Sequence, residues 1–140
     1  MFSSIDINTS ALVAQRVRLN AIASNLANLS TTHNEAGEPA PYQPRYVVFQ
    51  ADAEKSTPHG GVGVKVSSVE VDQADPLYKF EPNNPLAIQE GKWKGYVAYP
   101  NINLTSEFVD ALEATRAYEA NVGVIETTKS LGAQTLRILG

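Results

Sequence analysis

Two histidines, three regularly spaced glutamates and a glycine cluster are the residues of this chain whose types and spacing invite a chemical reading. His33 and His59 would be natural nitrogen ligands for a metal. Each lies in a turn-rich stretch, however, there is no cysteine, and no companion ligand stands at metal-binding spacing. Glu113, Glu119 and Glu126 are six and seven residues apart on a helical stretch. That spacing brings carboxylates towards one side, as acid–base work requires, but a solvated charged face has the same pattern. Gly60-Gly61-Val62-Gly63 lacks the lysine and the following helix of a phosphate-binding loop, so it reads as a turn. No serine or threonine is tied by spacing to a histidine base. The residues offer no catalytic constellation, no metal or cofactor site and no small-molecule pocket. The chain reads as a non-enzyme.

The elements that would position such side chains occupy the two ends. From Leu104 to Leu139, alternating steps of four and three pick out Leu104, Phe108, Ala111, Thr115, Tyr118, Val122, Ile125, Lys129, Gly132, Leu136 and Leu139. Eight of the eleven are apolar, the two-per-heptad seam of a helix that packs along another. Without proline, and with ~1.5 Å of rise per residue, this helix would be roughly 50 Å long. Asn103 is its expected cap. Glu107, Asp110 and Glu113 near its start, with Lys129 and Arg137 near its end, match the helix dipole.

The first thirty residues repeat the pattern. Ile5, Asn8, Leu12, Gln15, Leu19, Ile22, Leu26 and Leu29 fall on the same spacing, Ser3 and Asp6 have capping-box form, and no glycine or proline intervenes before Gly37. A helix over residues 4–29 follows. If the two stripes bury each other, a surplus remains. Val13 and Val17 lie beside the first stripe, and Val109, Leu112, Val124 and Ile138 lie beside the second. Ala114, Ala117, Ala120 and Gly123 make a row of small residues at every third position, which either permits close backbone approach or reflects helix propensity alone.

Between the helices the texture changes. Residues 30–44 hold three prolines and read as an irregular connection. Arg45–Gln50 suits a strand. Val62–Val71 alternates on one face and then shifts phase, which predicts a bulge near Ser67-Ser68. Asp75–Pro85 reads as turns, and Trp93–Tyr99 as one more short strand. Three short strands would lean on the helices. The expected fold is mainly α with a small β insertion, its long N- and C-terminal helices paired as a coiled-coil-like hairpin. The divisions are an N-terminal helix in 1–32, a loop and β-rich insertion in 33–100, and a C-terminal helix in 101–140.

Composition sets outer bounds. The chain has 140 residues, 43% apolar and 19% charged, with a formal charge of −4, within the size of one domain. Net negative charge without a lysine–arginine run argues against nucleic acid and anionic lipid surfaces. No apolar run approaches the ~20 residues that span a bilayer. Met-Phe-Ser-Ser-Ile-Asp lacks the parts of a cleavable secretory signal.

Two motifs carry a family resemblance. Ser24-Asn25-Leu26-Ala27-Asn28, followed by Thr31, resembles the N-terminal signature of the axial proteins of the bacterial flagellum, which form its rod, hook and hook-associated structures. Glu113-Ala-Thr-Arg116-Ala-Tyr118-Glu-Ala-Asn121, leading to Thr127 and Thr128, resembles their C-terminal signature. Gly95-Tyr-Val-Ala-Tyr-Pro-Asn-Ile-Asn103 is most similar to proximal-rod members. Two departures occur where those members carry Pro-Gly-His-Pro and an aspartate-rich tract: this chain has Pro82-Asn-Asn-Pro85 and Ile88-Gln-Glu-Gly-Lys-Trp-Lys94.

The resemblance implies a structural subunit of the basal-body rod, exported without a cleaved signal peptide, that polymerises through its terminal helices into the shaft transmitting torque from motor to hook. Its partners would be other copies of itself, other rod proteins, and ring and rod-junction proteins, with no membrane insertion. The expected assembly interface is Leu12, Leu19, Ile22 and Leu26 with Phe108, Tyr118, Val122, Ile125 and Leu136. Asn25 and Asn28 would fix the junction between helix and insertion, unless they merely cap the helix. A soluble helical-hairpin adaptor or export chaperone that binds a partner helix is the alternative the residues allow.

Overall fold

A computed structural model describes the backbone of residues 2–140 and the side chains of residues 3–140. Helix α1 (Phe2–Ala27) is followed by strands β1 (Arg45–Ser56), β2 (Val62–Val71), β3 (Leu77–Phe80) and β4 (Tyr96–Tyr99), and helix α2 (Leu104–Leu139) closes the chain. β1 pairs antiparallel with β2, and β3 pairs antiparallel with β4, as two separate two-stranded sheets.

Local chemistry sets most of these boundaries. The Asn103 side chain accepts from Ser106 N at 3.0 Å and starts α2 at the residue its pattern required. α1 starts at Phe2, so Ser3 lies inside the helix instead of capping it. It ends at Ala27, where Asn28 Nδ2 donates to Ser24 O at 2.8 Å and diverts the backbone into a turn. β1 runs six residues further than its apolar stretch because β2 offers partners as far as Ser56. The predicted bulge is present: Val48 pairs with Ser68 and Phe49 with Val66, which leaves Ser67 without a partner.

The turn-rich reading of residues 75–85 is corrected by β3, a four-residue strand held between Pro76 and Pro82 by pairing with β4. β4 in turn is shorter than the stretch from Trp93 would allow, because residues 92–95 form a turn.

α1 is the centre of the packing, with α2 on one side and the β1–β2 hairpin on the other. A two-stranded ribbon is marginal alone, and this one is fastened to α1. Ser10 Oγ accepts from Val64 N at 3.0 Å, and Gly63 permits the approach. A Cβ there would meet Ser10 Oγ at 3.0 Å and Lys55 Cβ at 2.9 Å. β3 and β4 pack only on each other among the described elements. The insertion therefore leans on the helices through its first hairpin and not through its second.

Candidate assembly interface

The interface is built outward from a polar joint that fixes where the two helices meet. Asn25, 2% exposed, stands near the end of α1. Its Oδ1 accepts from Arg45 N at 2.8 Å and from Tyr42 OH at 3.1 Å. Its Nδ2 donates to Arg45 O at 2.9 Å and to the Glu107 carboxylate at 3.3 and 3.4 Å. One amide thus satisfies the first residue of β1 and reaches the first turn of α2. Ser24 Oγ lies 3.0 Å from Tyr42 OH, and Thr31 Oγ1 donates to Asn28 Oδ1 at 3.0 Å. Of the N-terminal motif, Ser24, Asn25, Asn28 and Thr31 meet in this joint, whereas Ala27 is exposed. Asn28 does cap the helix, and Asn25 makes the junction.

Electrostatics act on the joint in two opposite senses. The Glu107 carboxyl is held above the ordinary glutamate range, chiefly because burial disfavours its charge; the neighbouring Asp110 adds to this and the Asn25 bond opposes it. Arg18 bridges to Asp110 and to Glu113 at 3.5 Å each. Asn25, near the end of α1, reaches Glu107 in the first turn of α2, and Arg18, about two turns earlier, reaches Asp110 and Glu113 further along, so the helices run antiparallel.

What α2 turns towards α1 differs from the apolar seam of the sequence. Ala114 is fully buried, at 0% exposure, and Glu107, Ala111, Ala117, Asn121, Ile125, Thr128 and Gly132 are half-buried on the same side. Phe108, Tyr118 and Leu136 are exposed at 58%, 37% and 72%. The paired-stripe expectation for α2 is corrected accordingly: small residues face α1, and several of the largest face outward. The row of small residues also drifts, because three-residue steps fall 60° short of a full turn in each cycle. Ala120 and Gly123 are exposed, and the inward line continues through Asn121, whose Nδ2 donates to Ala117 O at 2.7 Å.

On α1, Ile22 is buried and Leu12, Leu19 and Leu26 are half-buried; on α2, Val122 and Ile125 are half-buried. Arg116 is exposed, and so are Glu113, Glu119 and Glu126, of which Glu113 is drawn to Arg18.

α2 has ten residues more than α1. With the helices aligned at the joint, it outruns α1 by roughly 15 Å at ~1.5 Å per residue. The overhang carries Leu131, Leu136, Ile138 and Leu139, all exposed, with Ile138 at 85%.

His33 sits in the connection with Nδ1 2.8 Å from Thr32 Oγ1, and His59 is exposed in the β1–β2 turn. Nothing in the sequence marks Tyr42 or Glu107 as parts of the joint. Tyr42 carries no local signal, while Glu107 lies one helical step before the Ala111–Ala114 line. No described helix is long and apolar enough to cross a membrane.

Comparison with known proteins places both ends in one class. Residues 5–33 match the family described as Flagella basal body rod protein, and residues 94–138 match that described as Flagellar basal body rod FlgEFG protein C-terminal. These stretches are the two helices with their junctions, the rod-protein class of the flagellum. The Flagellar basal-body rod protein FlgC of Salmonella typhimurium is 42% identical over 138 residues, covering 99% of this chain and 97% of its own. Those of Borreliella burgdorferi and Bacillus subtilis are 38% and 37% identical, again covering 97% of each relative. The chain belongs to the FlgC family of flagellar basal-body rod proteins.

Proposed function

We propose that this chain is a structural subunit of the flagellar basal-body rod, polymerising through its terminal helices into the shaft that carries torque from motor to hook. The observation that carries this reading is the apolar surface α2 leaves uncovered, including Phe108, Val109, Leu112, Leu131, Leu136 and Ile138. So many large apolar side chains left exposed on one helix mark a site of association. Close-packed helices resist deformation and transmit strain, which is the mechanical requirement of a shaft.

In this reading the expected interface residues divide between two tasks. Ile22, with Leu12, Leu19 and Leu26, holds the chain's own helix pair, while Phe108, Tyr118 and Leu136 meet neighbouring subunits. The coiled-coil-like seam is completed in the polymer. Residues 1–32 and 101–140 form the assembling part and 33–100 the insertion. Partners are other copies, other rod proteins, and the ring and rod-junction proteins beside them. The role is structural and not catalytic, the location is the periplasm-spanning rod, and export proceeds without cleavage of a signal peptide.

The test is to supply Phe108→Asp or Leu136→Asp chains as the sole copy, at side chains that α1 does not cover. Swimming and rod assembly are lost while export of the variant persists. Normal motility with either variant would overturn the reading.

A further inference from the structure

We propose that the β3–β4 hairpin is a docking module for a second copy of this chain, seating its aromatic, lysine-bearing surface on the outward face of that copy's α2. The proposal deepens the rod-subunit reading and rests on it.

The module is preformed. Tyr78 and Trp93 stack with ring centroids 4.0 Å apart and planes 3° from parallel, and Trp93 meets Tyr96 edge-on at 5.4 Å. Phe80 packs against Tyr96 at 5.1 Å yet remains 62% exposed. Rings that fix one another present apolar area at little further entropic cost on binding. Unlike the β1–β2 hairpin, this one is covered by no other described element.

Its charge sets it apart as well. Residues 77–99 hold three lysines against two glutamates, in a chain whose net charge is −4. Lys79 is bridged to Glu81 at 3.2 Å. Lys92 and Lys94 are exposed and make no ion pair among the described residues, and Lys92 Nζ lies 5.2 Å from the Trp93 ring centre.

The complement lies on α2. Phe108, Leu112, Glu119 and Glu126 follow one another at steps of four, seven and seven, so they share one face of the helix. All four are exposed, and neither glutamate is ion-paired among the described residues. An apolar patch beside free carboxylates matches an aromatic patch beside free ammonium groups, in both polarity and sign.

The copy that docks is a different one. β4 ends at Tyr99 and α2 begins at Leu104, so the hairpin sits at the start of its own helix. Glu119 and Glu126 lie roughly 22 and 33 Å further along, whereas a four-residue strand is only ~13 Å long. A contact between unlike patches on successive copies is heterologous, and when its rotation does not close into a ring it extends the assembly, as a shaft requires.

The test supplies full-length variants as the sole copy in the bacterium and measures the chain recovered in isolated basal bodies. Lys92→Glu with Lys94→Glu, and separately Glu119→Lys with Glu126→Lys, each reduce recovery at least tenfold. All four substitutions together restore it to within twofold of the unsubstituted chain. Normal recovery with either pair, or no restoration in the fourfold variant, overturns the proposal; the latter outcome means that a different protein occupies the surface. Leu136→Asp, on the exposed overhang and outside the docking patch, is measured alongside and reports on the rod-subunit reading separately. Its recovery at normal levels removes that reading, whereas its loss with unaffected charge variants removes only the docking module.

Discussion

α1 and α2 are both long, free of proline and rich in apolar residues, yet the chain covers them very differently. α1 has α2 on one flank and the β1–β2 ribbon on another, and it contributes Ser10, Ala14, Ile22 and Asn25 to the buried set. α2 contributes Ala114 alone and leaves Phe108, Val109, Leu112, Val124, Leu131, Leu136, Ile138 and Leu139 exposed. Apolar content by itself therefore does not say which helix is core. What decides is the number of sides on which the chain supplies a neighbour. α1 is the chain's own interior, and α2 is interior only on the side it turns to α1.

This contrast is open to direct attack. The largest effect is expected at Ile22, where Ile22→Ala removes buried methyl groups and costs about 2–5 kcal/mol of unfolding free energy. Ile138→Ala, on the overhang, stays within about 0.5 kcal/mol for the isolated chain. Urea melts of the two variants compare them, and equal destabilisation would erase the distinction between the helices. Asn25→Ala comes next. It strands the Arg45 amide and leaves the Tyr42 hydroxyl with Ser24 alone, at a cost of about 1–3 kcal/mol, and it loosens the start of α2, visible as faster amide exchange around Glu107. A melt unchanged from that of the unsubstituted chain would remove the joint from the account.

The smallest effect sharpens the electrostatic side. Because burial raises the Glu107 carboxyl above its ordinary 4.5, the unfolded chain gives up that proton more readily than the folded one. The stability this group contributes is fully present below about pH 4.5 and is lost as pH rises through the raised folded value. Glu107→Gln keeps an acceptor for Asn25 and removes that slope. The variant should therefore melt slightly above the unsubstituted chain at neutral pH and lose its advantage under acid. An identical pH dependence in the two chains would contradict the assignment.

The sequence was most legible where short-range chemistry decides the outcome. The bounds of α2 follow from Asn103 and from a run without proline, the β2 range from its valines, and the bulge at Ser67 from their change of phase. It was least legible where a neighbour decides. β3 is hidden among Pro76, Pro82 and Pro85, and only pairing with β4 makes residues 77–80 a strand. Heptad counting misplaces the inward face of α2 because it rewards large apolar residues, whereas close antiparallel approach to α1 selects Ala111, Ala114 and Ala117. The asparagines of the N-terminal motif suggested a junction, but their partners Tyr42, Arg45 and Glu107 are distant in sequence and share no local signal.

α2 carries apolar surface which its own chain does not cover. Amide hydrogen exchange on the dilute full-length chain tests it most directly. Strong protection is expected in the middle of α1 and on the stretch of α2 opposite it, with exchange near the unprotected rate from Leu131 to Leu139, where no partner offsets the ordering cost of roughly 1–2 kcal/mol per residue. Protection over those last residues equal to that of α1, in a demonstrably monomeric sample, would contradict it.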